Sequence, residues 1–411
     1  MSALPIDEQT LRDLDRPLAL HALAFLDGGD EVTVGRPDID SYCVLPADGA
    51  ALLRRLAAGS TPRQAARWYD ETYGESVDMA EFLEAMDELG FVADADQPAP
   101  STAPVPWQRL GRLTYSPVAW FGYGVLMVAA AAVMARHHDL LPRTRNLFFT
   151  DYATLVMLLA VFGQLPFVLF HESFHALAGR RLGVRSRLRI SRRLYFLVAE
   201  TNLDGLVVVP RGKRYLPILA GMLADLLVIA TLTLVAAGLR HADGSQPLAG
   251  RVCLALAFLT LLRLIWQFYF FLQTDLYQLA VTALGCVELH RTTNRLLANR
   301  VNRLIGRTHR ISDESLWHHR DRAVARWYCW LLLAGYLFSV ASFLLAILPL
   351  LRRLLGGVVT GLASGHGVGW RELADSATFL ILSAAQLGIV AIIVLRERRL
   401  RRNSTAVHVI G

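Results

Sequence analysis

The sequence predicts an α-helical polytopic membrane protein of about six transmembrane helices, with a small cytosolic α+β domain at its N-terminus. Two observations predict this fold class. Hydrophobic residues make up 54% of the 411 residues, which is typical of membrane proteins. The charge is unevenly divided, because residues 1–100 hold 20 acidic against 7 basic side chains, whereas residues 101–411 hold 15 against 35. An acidic soluble module is therefore joined to a basic membrane module.

The N-terminal module is predicted to contain three short strands followed by three helices. Asp27-Gly28-Gly29-Asp30 is a hairpin signal, and Ser60-Thr61-Pro62 is typical of a helix start. The first residues lack the basic and apolar segments of a cleavable signal peptide, so we expect the module to stay in the cytosol. The predicted strands are 20–26, 31–34 and 39–45, and the predicted helices are 46–56, 61–73 and 77–89.

This order of elements resembles the PqqD-type winged-helix module, which binds leader peptides of ribosomally made, modified peptides. The resemblance rests on a helix ending in Ala-Ala-Gly-Ser-Thr, followed by ARWYDETYG and FLEAMDELGFV, and it covers most of residues 16–94. It implies that residues 1–94 form a cytosolic, winged-helix-like peptide-recognition domain. A small regulatory winged helix without a peptide ligand is the alternative.

Residues 95–114 are predicted to be a linker between this domain and the membrane module. Pro98, Pro100, Pro104 and Pro106 alternate with small and polar residues, a composition that gives a semi-rigid spacer.

Six apolar runs follow, each near the ~20 residues that cross a bilayer. Connections 185–214 and 287–326 and the tail after 395 hold 8, 9 and 5 basic residues, and the intervening connections hold 3, 2 and 3. Because basic residues favour the cytoplasmic side, we expect both termini in the cytoplasm. The runs are Val118–Ala135, Tyr152–Leu182, Tyr215–Leu239, Val252–Cys286, Trp327–Leu351 and Ala377–Leu395.

Two of the basic connections carry signals of further structure. Segments 194–198 and 206–209 flank Asn202–Gly205, which predicts a hairpin that either pairs with an extended substrate or seals a site. Residues 288–305 are basic with apolar residues at helical spacing, which predicts an amphipathic helix at the cytoplasmic interface.

The composition argues against two classes of protein. The four cysteines, Cys43, Cys253, Cys286 and Cys329, show no CxxC spacing, which favours buried thiols over a disulfide framework or a zinc knuckle. The basic residues lie between apolar runs rather than on one surface, so the bilayer headgroups and not nucleic acid are the expected partner.

The candidate chemistry lies in the second apolar run. His171 and His175 are four residues apart and Glu172 follows the first histidine. A four-residue step returns to nearly the same face of a helix, so both imidazoles can reach one metal ion while Glu172 acts on a water molecule there. This HExxH pattern is typical of zinc hydrolases.

A catalytic zinc site needs a third protein ligand. Asp225 and Asp275 lie in later apolar runs, where ionisable residues are functional candidates. Counting residues along the second and fourth runs brings His171 and Asp275 to similar depth, so Asp275 is the predicted third ligand. Asp225 is either an acid that orients a ligand histidine or a satisfied packing group. The remaining histidines fall in connections, where polar residues are ordinary.

Three segments, HESFHALAGRRLGV, RYLPILAGMLADLL and FFLQTDLYQLA, resemble the site-2-protease-type (M50-like) intramembrane zinc metallopeptidases, in the branch associated with bacterial peptide maturation and export. The resemblance implies a zinc peptidase core at 115–290 in the bacterial inner membrane, with His171, His175 and Asp275 as Zn²⁺ ligands and Glu172 as catalytic base. Residues 291–411 would add the basic interfacial segment and two transmembrane helices.

The chain departs from that family's pattern around the aspartate. Gln273-Thr274 and Leu276 stand where many relatives have Asn-Pro and Gly, and Gly221-Met222 replaces Gly-Pro. The family's substrate-holding Asn has no evident counterpart, and Gln273 is the candidate for its role.

Three functions are compatible with these patterns. The first is a membrane zinc endopeptidase that matures a modified peptide bound by residues 1–94. The second is a non-catalytic peptide binder for export or immunity; with no nucleotide-binding motif, an exporter would need a transporter partner. The third is intramembrane proteolysis of a transmembrane regulator.

Overall fold

The computed structural model describes residues 15–93 and 105–342, apart from 37, 38, 40, 194, 195, 203 and 316, together with isolated positions after 342. The chain divides into two compact units. The first contains Met1–Thr114, Ala176–Arg187 and Asn202–Arg214, and the second contains Tyr115–His175, Leu188–Thr201 and Tyr215–Gly411.

The first unit contains a three-stranded antiparallel sheet in the order β1-β2-β3. The turn between β1 and β2 occurs at the predicted Asp27–Asp30 segment, where Gly28 N donates to Glu31 O at 2.8 Å and Gly29 adopts a positive φ of 96°. Glycine tolerates this conformation because it has no Cβ. The strands are β1 Ala24–Asp27, β2 Glu31–Arg36 and β3 Ser41–Pro46.

Three amphipathic helices follow the sheet, as the sequence predicts. They are α1 Ala47–Ala57, α2 Pro62–Tyr73 and α3 Met79–Glu88. Thr61 begins α2 with a capping box in which its side chain accepts from Gln64 N and the Gln64 side chain accepts from Thr61 N. A fully buried apolar core holds the sheet and helices together. It includes Val34, Leu52, Leu53, Leu56 and Phe91.

The phenol of Tyr69 ties α2 to α1 by donating a hydrogen bond to the Asp48 carboxylate. This bond raises the pKa of Tyr69 to about 12 and lowers the pKa of Asp48 below its ordinary 3.8. A lowered carboxyl pKa stabilises the fold above that ordinary value, and the contribution disappears as the pH falls further.

We therefore expect Tyr69→Phe to destabilise the helical layer by about 1 kcal/mol at neutral pH. The difference from wild type should shrink below about pH 4. Hydrogen exchange of peptides from α1 and α2, corrected for intrinsic exchange rates, measures this. Tyr73→Phe is the matched control because Tyr73 is on the same helix and 43% exposed. Equal protection of the two variants at neutral pH would contradict the expectation.

The predicted linker is only partly within the described residues. Residues 95–104 lie outside them, and Gln108–Thr114 form a short helix, α4.

Among the described residues, five helices are long and apolar enough to cross a membrane: Pro117–Arg136, Thr154–Arg181, Arg211–Leu239, Leu248–Trp266 and His319–Ala341. Each overlaps one of the first five predicted runs. The predicted sixth run, Ala377–Leu395, falls mostly outside the described residues. The described helices of six or more residues in the second unit and its flanks are α5 Pro117–Arg136, α6 Ala153–Leu158, α7 Leu165–Arg181, α8 Arg211–Leu239, α9 Leu248–Trp266, α10 Asp275–Leu284, α11 Leu289–Leu304 and α12 His319–Ser342.

The fourth predicted run is not one continuous helix. Helix α9 ends at Trp266, a 3₁₀ turn spans Phe270–Leu272, and α10 begins at Asp275. At the break, the partly buried Thr274 Oγ1 donates a hydrogen bond to the backbone oxygen of Gln267 at 2.6 Å. A single span from Val252 to Cys286 was therefore wrong.

The predicted hairpin is formed by different segments. A two-stranded sheet is present, but its strands are β4 Arg187–Arg193 and β5 Phe196–Asn202, and Asp204–Val208 form a 3₁₀ turn instead of a strand. The predicted amphipathic helix is α11. Asp321 holds the backbone that leads into this helix, because its carboxylate oxygens accept from Val287 N at 2.9 Å and Glu288 N at 2.8 Å.

Candidate metal centre

Helix α7 carries the two histidines and the glutamate of the HExxH pattern. A π turn at Leu159–Gly163 precedes it, and such turns often occur near functional sites. His171, Glu172 and His175 are buried, with 5%, 8% and 6% of their surfaces exposed. Burying three polar side chains on one helix is costly unless they have partners, so their environment decides what they do.

Asp275 completes a cluster with the two histidines. His171 Nε2 and His175 Nε2 are 3.1 Å apart, and Asp275 Oδ2 lies 3.3 Å from the first and 3.2 Å from the second. Ligands about 2.0–2.1 Å from a tetrahedral zinc ion are about 3.3–3.4 Å from one another. Within the described part of the chain, this is the group of three or more His, Cys, Asp or Glu that could hold a metal ion.

Asp275 reaches this position because the fourth apolar run is broken between α9 and α10. It is the first residue of α10, and its backbone N–H donates to the side-chain oxygen of Gln267 at 3.0 Å. Gln267 is 6% exposed and is itself fixed at the end of α9. Asp275 was predicted from its depth along one continuous span, whereas in the structure it begins a separate helix.

The second nitrogen of each histidine faces a different acceptor. His175 Nδ1 lies 2.7 Å from Pro217 O, and His171 Nδ1 lies 3.1 Å from Asp225 Oδ2 without an aligned hydrogen bond. A proton on Nδ1 leaves the lone pair on Nε2, which is the atom of each ring that faces the cluster. Both rings therefore present Nε2 to the cluster.

Gly221 of α8 opens the space beside the cluster. A Cβ at this position would overlap Nε2 of both His171 and His175. The backbone of α8 thus approaches the ring nitrogens more closely than any other residue type would permit.

Glu172 lies beside the cluster without belonging to it. Its Oε2 is buried and has no hydrogen-bond partner among the described residues, while its backbone oxygen accepts from Thr201 Oγ1 at 3.0 Å. An unpaired buried carboxylate oxygen needs a partner, and water in the site would supply one. This arrangement fits a base that acts on water.

Arg263 of α9 is the residue near the site that the sequence argument missed. Its guanidinium pairs with Asp225, which is fully buried, at 2.5 Å between Nη2 and Oδ1. The available signal was an arginine inside an apolar run, which is rare in a bilayer and calls for a partner.

The other predicted candidates are not part of the cluster. Gln273 adopts a left-handed backbone conformation with φ 55°, two residues before Asp275, and its role toward a substrate stays a prediction. The histidines in the described connections form no second group of metal-binding spacing, and His366 lies outside the described residues.

The second unit brings together two histidines, two aspartates and a glutamate whose Oε2 has no hydrogen-bond partner among the described residues. Comparison of the chain with protein-family models, with curated proteins and with solved structures yields no match. The function must therefore be argued from the residues of the cluster.

Proposed function

We propose that this chain is a membrane-embedded zinc metallopeptidase of the site-2-protease type. The observation that supports it is the convergence of His171 Nε2, His175 Nε2 and Asp275 Oδ2 to within 3.3 Å of one another beside the buried Glu172. Two imidazoles and one carboxylate form a donor set suited to catalytic zinc, and it leaves a fourth position for water or substrate.

In this proposal each side chain has a separate task. When bound, zinc supplies Lewis-acid polarisation of a peptide carbonyl and acidification of water. His171, His175 and Asp275 hold the ion, and Gly221 leaves it space. Glu172 Oε2, which has no partner among the described residues, accepts a proton from the attacking water and returns it to the leaving amine.

The remaining parts of the proposal concern substrate and location. The acidic first hundred residues would bind a precursor of a ribosomally made, modified peptide and present it to the site. The basic connections would place both termini in the cytoplasm of a bacterial inner membrane. The five membrane-length helices among the described residues fit a membrane location, and both termini lie on one side if the sixth predicted run, Ala377–Leu395, also crosses.

Metal and cleavage analysis of the detergent-purified protein tests the proposal. We expect about one zinc per chain, and cleavage of a mixture of synthetic peptides that stops on chelation and returns with zinc. Asp275→Asn should lose zinc because it removes the anionic ligand. His241→Ala is the matched control, since His241 is exposed and its ring contacts Ser245 Oγ at 3.2 Å. A wild-type protein that binds no zinc would favour the non-catalytic peptide binder.

A further inference from the structure

Arg263 and Asp225 form an ion pair between two membrane-length helices. The Asp225 side chain is fully buried and that of Arg263 is 18% exposed. Bringing both charges out of water costs several kcal/mol, which their attraction offsets only with good geometry and further hydrogen bonds. Such a pair between apolar helices therefore calls for an explanation beyond stability.

Every guanidinium nitrogen of Arg263 has a partner. Nη2 and Nε contact Asp225 Oδ1 at 2.5 and 3.2 Å, Nε contacts Oδ2 at 3.3 Å, and Nη1 donates to Gln164 Oε1 at 3.0 Å. Nη2 also lies 3.4 Å from Phe167 O. The amide of Gln164 in turn donates to Leu256 O at 3.2 Å. The planar fork of one arginine thus joins α7, α8 and α9.

These contacts fall on the face of α7 that carries His171. Gln164 and Phe167 precede His171 by seven and four residues, which are steps that return to one side of a helix. On the other side of the ion pair, Asp225 Oδ2 lies 3.1 Å from His171 Nδ1. Asp225 therefore stands between the guanidinium and the imidazole.

The Nδ1 atoms of the two histidines face different kinds of acceptor. His175 Nδ1 faces the backbone oxygen of Pro217, whereas His171 Nδ1 faces a carboxylate whose position is set by Arg263. A carboxylate beside the outer nitrogen of a metal-binding histidine orients the ring and makes it a better ligand. The orientation of the His171 ring therefore depends on a series of side-chain contacts through Asp225 to Arg263. The His175 ring has no such series.

We propose that Arg263 is a positioning residue for the metal site, acting through Asp225 on His171. This inference rests on the proposed zinc-dependent function. Two nitrogens of the guanidinium contact the Asp225 carboxylate. Arg263 therefore fixes the rotation of that carboxylate and also compensates its negative charge. Lysine would supply the charge from a single point and leave the rotation free.

Zinc affinity of the purified full chain, measured by competition with a chelator, tests this role. We expect Asp225→Asn to weaken zinc binding about 10- to 100-fold, the usual effect of losing such a partner. Arg263→Lys should weaken it about 10-fold, since Asp225 keeps a cation but loses the fork. Arg251→Gln, an exposed arginine on the same helix, should bind zinc as wild type does.

A double variant separates positioning from folding. Arg263→Gln alone leaves a buried carboxylate unpaired and is expected to destabilise the protein. Asp225→Asn combined with Arg263→Gln removes both charges, so thermal stability should recover while zinc affinity stays about 10- to 100-fold lower. Cobalt in place of zinc gives an independent readout, because a turned His171 ring alters the visible absorption of the bound ion.

The outcomes distinguish this inference from the proposed function. If wild type binds zinc and the double variant binds it with equal affinity and an unchanged cobalt spectrum, Arg263 has only a structural role and the inference is overturned. If wild type binds neither zinc nor cobalt, the proposed function fails and the inference fails with it. Weaker binding by a stable double variant supports the role of the Asp225 carboxylate, and about 10-fold weaker binding by an equally stable Arg263→Lys variant supports the positioning role of Arg263. Zinc affinity of Arg263→Lys equal to that of wild type would overturn that role.

Discussion

Replacing Glu172 by Gln is expected to abolish peptide cleavage while zinc content stays near one per chain. The substitution preserves the size of the side chain but removes its ability to accept a proton. The three atoms that converge belong to His171, His175 and Asp275, so the ligand set is left intact. Loss of a general base typically costs 10²- to 10⁴-fold in rate, and we expect a loss of about 10³-fold or more.

The measurement compares new peptide termini, detected by mass spectrometry, after equal amounts of each variant act on one mixture of synthetic peptides. Ser173→Ala is the matched control, because Ser173 is the next residue of α7 and its hydroxyl bonds back to Phe170 O at 2.7 Å. The control should cleave like wild type. Cleavage by Glu172→Gln within tenfold of wild type would exclude Glu172 as the base.

The local part of the candidate site could be predicted from the sequence. Helical periodicity alone places His171 and His175 on one face, because the rise and turn of a helix depend only on neighbouring residues. The same holds for the first hairpin, where Gly28-Gly29 marks the turn, and for Thr61, which begins α2 through a local capping box.

The parts that failed depend on contacts distant in sequence or on weak turn signals. Gln267 lies at the end of α9, and its side-chain oxygen accepts a hydrogen bond from Asp275 N. No pattern in that apolar run predicts the break. The hairpin prediction relied on Asn202–Gly205 as a turn, whereas the structure uses Phe196–Asn202 as a strand and puts Asp204–Val208 in a 3₁₀ turn. Register in a two-stranded sheet is only weakly specified by such a pattern.

The ion pair behind the histidines could not be predicted from the sequence. Asp225 was a candidate partner for a ligand histidine, but its pairing with Arg263 spans 38 residues and joins two helices. No periodicity relates those positions. Intramembrane charges can be found in a sequence, whereas the choice of partner depends on how the helices pack.

Replacing Gly221 by Ala is the second large effect that we expect. A methyl group at this position would overlap Nε2 of both His171 and His175. Helix α8 is long, and it carries the fully buried Ala220 and Ala224 beside this point. Moving its backbone away from the histidines would disrupt the packing of these buried residues. The rings must move instead, and the ligand atoms then lose their common point.

The stability change makes this substitution informative. Alanine favours a helix over glycine by about 1 kcal/mol, which offsets part of the cost of about 1–3 kcal/mol that displacing the buried rings imposes, so the metal-free variant should stay within about 2 kcal/mol of wild type. Zinc affinity should nevertheless fall by about 100-fold or more, because two of three ligands are displaced together. The added stability that zinc confers on wild type should disappear in the variant.

Gly238→Ala supplies the matched control for this prediction. It lies on the same helix, and a Cβ there would meet no atom within 4 Å. Chelator competition and thermal unfolding with and without zinc, applied to both variants, separate helix propensity from collision with the ligands. Zinc affinity of Gly221→Ala equal to that of Gly238→Ala would show that the histidines do not bind metal through the nitrogens facing α8, and the proposed site would have to be abandoned.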